Sequence, residues 1–189
     1  MDSELPDVPV LYNYDTDRDA SPGLVIAKGG SGPNEGDDAK HQHWQTWAFP
    51  AGVTIQGDAT VHLWTSMEEP DGVRGGAVTV FLRDCEEWDC VELGSDTVAD
   101  ANWQGGSLWV LKTFSVPIRT HTLVAGHSLE LVVIVDGSSD DDMWFAYDTG
   151  PYRSRVAVSA SSDALTMGAE TARLLSGWLA GSWARLLFA

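Results

Sequence analysis

Three groups of side chains in this sequence have the types and spacing to do chemistry. The first is the run Asp15-Thr16-Asp17-Arg18-Asp19, whose alternate carboxylates can converge on one hard cation. Calcium takes roughly six to eight oxygen ligands, and a D-x-D-x-D loop offers three of them. The helix–loop–helix calcium pattern is not completed, because Ala20 stands where its glycine belongs and Ile26 where its bidentate glutamate belongs. Further oxygens must come from elsewhere, with Asp148 or the run Asp140-Asp141-Asp142 as donors. Two readings stand side by side: a structural Ca2+ held by Asp15, Asp17, Asp19 and Asp148, and an Asx-rich solvated turn.

The second group is aromatic. Nine tryptophans in 189 residues exceed what one core needs. Trp44, Trp47 and Trp103 are the candidates for ligand binding: an exposed indole near Asp, Asn and Gln covers the apolar face of a sugar while the polar groups bond its hydroxyls. Core packing is the competing account of each ring. The third group is His41, His43, His62, His121 and His127. His41-x-His43 places two imidazoles on one face of a strand, although a pair without a third ligand is a weak metal signal.

Catalytic signatures do not emerge from the same reading. No G-x-S-x-G elbow occurs, and Gly29-Gly30-Ser31-Gly32-Pro33 lacks a strand-to-helix context. No glycine loop with a following lysine is set to cradle phosphate. Glu68-Glu69 and Glu86-Glu87 fall in turns, where solvation accounts for them, so no catalytic residue is assigned.

The elements that must carry these groups are strands. Residues 8–158 form short runs rich in Val, Leu, Thr, Phe and Trp, broken about every ten residues by Gly, Asp, Ser and Pro, the rhythm of a sandwich or barrel. Strands are expected at 9–14, 23–28, 43–49, 58–66, 76–84, 88–93, 108–116, 127–136, 143–147 and 152–158. In 58–66, Ala59, Val61 and Leu63 alternate with Thr60, His62 and Trp64, giving one inward and one half-polar face. Strand 127–136 is apolar on both faces and is expected to be covered on both. Cys85 and Cys90 flank a four-residue EEWD loop, a spacing that suits a cross-strand disulfide; two free thiols are the alternative.

Residues 1–160 are therefore read as an all-β antiparallel sandwich of jelly-roll type, and 161–189 as an amphipathic or poorly ordered tail. In the tail, Leu175, Trp178, Leu179, Trp183, Leu186 and Leu187 recur at helical spacing, which suggests a short helical extension. Arg185, Gly177 and Gly181 make it a poor membrane span, so membrane association is a minor reading beside a docked helix or a disordered extension.

The charge of −17, from 28 acidic against 11 basic residues, disfavours nucleic acid as a partner, since phosphate backbones are neutralised by Lys and Arg. The opening MDSELPDVP shows no signal peptide. Coupled with a disulfide, that implies an extracellular or cell-surface protein met as a mature form or a fragment.

The stretch QTWAFPAGVTIQGDATVHLWTSMEEPDGVRGGAVTVFLRD, followed by TLVAGHSLELVVIV, resembles the non-catalytic C-terminal jelly roll of X-Pro dipeptidyl-peptidase and cocaine-esterase type hydrolases, a galactose-binding-like sandwich. Gly57, Leu63-Trp64-Thr65-Ser66, Asp84 and Ala125-Gly126-His127 follow that family's order, over roughly residues 43–136. The resemblance implies the sandwich. It carries over no peptidase or esterase activity, because no α/β-hydrolase domain is read before it. The functional expectation is a non-catalytic extracytoplasmic module that binds a ligand, carbohydrate first, with a structural calcium and a glycan or surface-protein partner. The alternatives are a purely architectural module and the non-catalytic domain of a secreted hydrolase.

Overall fold

The structure is a computed structural model that describes residues 23–68, 73–105, 108–146 and 152–162. Among the described residues ten strands form two antiparallel sheets: β1 Gly23–Ile26, β2 His41–Gln45, β3 Val53–Met67, β4 Val73–Glu86, β5 Asp89–Gln104, β6 Val110–Leu123, β7 Ser128–Val135, β8 Met143–Ala146, β9 Arg155–Ala157 and β10 Ala160–Ser162. In the first sheet β6 pairs along one side of β3 while β10, β9 and β8 succeed one another along the other, and β1 pairs with β8. The second sheet runs β2-β7-β4-β5. The expected sandwich is therefore present.

Alternation explains how the sheets meet. Ile55, Ala59, Val61 and Leu63 of β3, with Phe114, Val116 and Ile118 of β6, face Val78, Val80 and Leu82 of β4 and Leu129, Leu131, Val133 and Val135 of β7 in one core. The opposite parity of β7 is buried too, since all eight of its residues are. The segment 27–40 lies over that second face: Gly29 and Gly30 donate their N–H groups to the Val135 carbonyl at 3.0 Å. A Cβ on Gly30 would stand 2.8 Å from both Ile134 Cβ and the Lys40 carbonyl, so only glycine allows the approach. Coverage of 127–136 on both faces is thus as its composition implied.

Strand limits differ from expectation in instructive places. The Cys85–Cys90 disulfide is formed, with its Cα atoms 4.1 Å apart. The ladder continues past it through the Glu86–Asp89 pair, so the turn is the two residues Glu87-Trp88, not the four of EEWD. Glu87 takes the positive φ of 53° that such a turn demands. β5 extends to Gln104 although its second half is polar, because it is an edge strand with one face to solvent. Pro117 is tolerated within β6 because, among the described residues, that strand pairs with β3 alone. The expected strand 9–14 and the tail beyond Ser162, with its helical extension, lie outside the described residues. Among the described residues the one helical element is the short 3-10 turn Asp38–Lys40, and no helix is long and apolar enough to cross a membrane.

Candidate functional site

Two carboxylates, Asp84 and Glu130, sit inside the second sheet with only 8% of each side chain exposed. Each is held between two basic groups, as burial of a charge requires. They belong to opposite faces of the sheet. Asp84 continues the inward parity of Val80 and Leu82, whereas Glu130 pairs with Arg83 on the outer face.

Glu130 is sealed under the segment 27–40. Its Oε2 accepts from Arg83 Nε at 2.6 Å and Nη2 at 2.5 Å, and its Oε1 lies 2.8 Å from His43 Nδ1. The remaining Arg83 donor, Nη1, is spent on the Pro33 carbonyl at 3.0 Å and Asn34 Oδ1 at 2.8 Å. The cover is itself pinned by Glu35, which accepts from the Ser31 hydroxyl and from the backbone N–H groups of Ser31, Gly36 and Asp37. Those bonds, led by the Ser31 hydroxyl, pull its carboxyl down to about 2. His41 and His43 do come together, with ring centroids 4.5 Å apart. Their Nδ1 atoms are engaged separately, His41 with the Asp37 carbonyl at 3.0 Å and His43 with Glu130 at 2.8 Å, and among the described residues no trio of metal-ligand types includes either ring. Burial first, and the neighbouring His43 second, lower the His41 pKa.

Asp84 stands at the open end of the core. Its Oδ2 is 2.7 Å from His121 Nε2 and its Oδ1 2.8 Å from His127 Nδ1, while His127 Nε2 reaches Glu86 at 3.8 Å. A bulge makes this possible. Ile118 pairs with Gly57 but His121 with Ile55, so β6 spends one extra residue there and the parity reverses. Without that residue His121 would point to solvent; with it, the imidazole crosses from one sheet to the carboxylate of the other. Beside it lies an open groove of about 450 Å³ between Val91–Leu93 of β5 and Pro117–His121 of β6. It opens where the two edge strands part, beyond the close approach of Gly94 to the Pro117 carbonyl.

Chemically, a carboxylate gripping two imidazoles can hold and orient protons, but nucleophilic catalysis also needs a hydroxyl or thiol on the imidazole. Among the described residues no side-chain hydroxyl bonds to His121 or His127, and their side-chain contacts run to Asp84 and Glu86. One trio of metal-ligand types occurs among the described residues, Cys85, Cys90 and Glu130, with donor atoms all within 4.8 Å of one another. Sulfur donors suit thiophilic metals and not calcium, which takes oxygen.

The residues singled out from sequence are distributed otherwise. Asp15, Asp17, Asp19 and Asp148 lie outside the described residues. Trp103 is fully buried, donating its indole N–H to Thr65 Oγ1 at 2.7 Å with Lys112 Nζ 4.2 Å from its ring centroid. Trp44 is also in the core. Neither offers a ring face to a ligand, because both project from the inward parity of their strands; Trp47, 65% exposed, does. Asp140 and Asp142 serve as fasteners, accepting from the backbone N–H groups of Gly75 and Lys28. Burial, then the charges of Asp142 and Asp141, raises the neighbouring Glu68.

Sequence reasoning passed over the pairs around Asp84 and Glu130. A signal existed for Glu130: a lone charge inside the apolar run LELVVIV, in a strand expected to be covered on both faces. Trp64 and Trp109 flank Tyr152 at 5.3 and 5.5 Å between ring centroids, with Leu111, the partner of Trp64 in the ladder, 42% exposed.

Against known proteins, no family model matches this chain and no curated sequence does. Solved structures do. An aminopeptidase from the marine sediment archaeon Thaumarchaeota archaeon matches with a TM-score of 0.56 at 13% identity, over 67% of this chain and 27% of its own. An alpha-amino acid ester hydrolase matches with a TM-score of 0.59 at 13% identity, over 75% of this chain and 33% of its own. A CocE/NonD family hydrolase from Staphylococcus aureus gives 0.54 at 10% identity, over 72% and 36%. The likeness is one of fold. The match spans about a third of the length of these hydrolases.

Proposed function

We propose that the chain is a non-catalytic accessory β-sandwich domain of an exported hydrolase of the ester- or peptide-cleaving kind. The observation that carries the reading is the fold likeness to several such enzymes, each matched over about a third of its length. Two features support it. The charged groups of the interior are committed to one another and tie the sheets and cover together, which is architectural work. The Cys85–Cys90 disulfide suits an oxidising compartment.

The test has two arms. An antibody raised against the chain should detect, in the source cells, a polypeptide about two to two and a half times its 20.4 kDa. The isolated chain should cleave neither activated esters nor aminoacyl anilides. A band at the chain's own mass defeats the domain reading, and hydrolysis that disappears in Asp84→Asn or His121→Ala defeats the non-catalytic one.

Carbohydrate binding with a structural calcium is the second reading, and the exposed ring of Trp47 favours it. Glycan-array binding that requires calcium and is lost in Trp47→Ala is the outcome it expects.

A further inference from the structure

The cysteines at the β4–β5 turn stand against a buried carboxylate that needs no third partner. Glu130 is already held by Arg83 and His43, yet the Cys85 sulfur lies 3.4 Å from its Oε2. A disulfide sulfur has no proton to donate, so in the oxidised protein this is a contact and not a hydrogen bond.

We propose that reduction of Cys85–Cys90 converts this place into a binding site for a thiophilic divalent cation of the zinc type, with Cys85 Sγ, Cys90 Sγ and a Glu130 carboxylate oxygen as ligands. The chemistry balances with a dithiol as reductant. Its two thiols become a disulfide while the Cys85–Cys90 bond takes up two electrons and two protons, and the cation then displaces those two protons as the thiolates bind.

Three observations carry this. The first is geometry. The three donor atoms lie within 4.8 Å of one another. Tetrahedral ligands at the usual metal–sulfur and metal–oxygen distances are about 3.5 Å apart, sulfur to oxygen. The observed 3.4 Å between Cys85 and Glu130 is already that edge. The one sulfur that must move is Cys90, on the half-exposed edge strand, which also gives a reductant and water their way in.

The second is charge. In the oxidised protein Glu130 and Arg83 cancel. Two thiolates and one divalent cation also cancel, so loading leaves the sealed interior neutral, whereas either charge change alone would leave it uncompensated. The third is orientation. His43 Nδ1 fixes the carboxylate through Oε1, the kind of support that sets a ligand's direction and affinity, while Oε2 accepts both Arg83 bonds, so loading requires the guanidinium to yield one of them to the cation.

The experiment is a cobalt titration of the full chain, oxidised and reduced, followed by thiolate-to-cobalt charge-transfer absorption, with circular dichroism recording that the sheets persist. The reduced protein should develop the band at one cobalt per chain and surrender it to zinc, and the oxidised protein should show none. Cys90→Ser, at the half-exposed position, should abolish the band. Glu130→Gln should weaken cobalt binding at least tenfold; should that variant fail to fold, His43→Gln should weaken binding in a folded protein. A reduced, folded protein without the band overturns the proposal. So does a band of equal affinity in both the carboxylate and histidine variants, or loss of the sheets on reduction.

Discussion

Asp84 and Glu130 make a natural experiment. Both are carboxylates of the same sheet, equally buried, and each faces two basic groups. What differs is the permanence of the positive charge and the enclosure. Glu130 has a guanidinium that cannot be discharged and a cover segment organised by Glu35, while Asp84 has two imidazoles, one of them 34% exposed beside an open groove. A permanent charge deep inside must be answered completely, so the Glu130 cluster is built for rigidity. The Asp84 cluster is more open, with His121 part-exposed beside the groove, so water can replace a lost partner there at smaller cost.

The largest expected effect follows from removing one member of the permanent pair. Arg83→Met leaves Glu130 buried with only His43 beside it, and urea unfolding should show a loss of about 3–5 kcal/mol. Asp84→Asn keeps a polar side chain that can still bond one or both imidazoles, and should cost about 1–3 kcal/mol in the same assay. The reverse order would break the contrast between the two sites.

Reducing the disulfide should cost about 2 kcal/mol, since it closes a loop of only a few residues. The loss is read as a shift of the urea midpoint between reduced and oxidised protein.

Acid should act through two histidines with depressed pKa values, His41 in the sealed cluster and His62 in β3, where burial and then the Arg155 charge lower it. The His41 pKa is depressed in the folded protein, so below the ordinary histidine value of 6.5 the unfolded chain binds more protons. Stability then falls as pH drops through that window. His41→Gln should flatten the slope just below pH 6.5. Glu35, held at about 2 against an ordinary 4.5, works in a second window: its contribution is present above 4.5 and is lost as pH falls toward 2. The smallest effect is local. Glu35→Ala should speed hydrogen exchange at Gly29 and Gly30, in the cover, before it changes exchange in β4 or β7.

Much of the fold could be read directly. Alternation in β3 and the two-sided apolar run of β7 predicted their burial, because in a strand the facing of a side chain follows from its parity. The spacing of Cys85 and Cys90 predicted their bond. The polar half of β5 and the three-residue β10 were not legible, because an edge strand and a short polar one lack the apolar alternation that gives strands away. The site was legible least. Trp44 and Trp103 were candidates both for ligand binding and for the core since indoles suit either environment, and only parity within the assembled sheets put them inside.

The order of residues by itself determined that these segments would extend, pair antiparallel and hide one face, because those outcomes depend on side-chain period and local turn chemistry. Only the tertiary structure decided which charges would meet. Asp84 finds His121 across the gap between sheets because one extra residue in β6 reverses the parity of the histidine. Glu130 keeps Arg83 because a distant loop of glycines lies flat enough to seal them together. Pairings of that kind depend on register and on contacts between segments far apart in the chain, which no local pattern encodes.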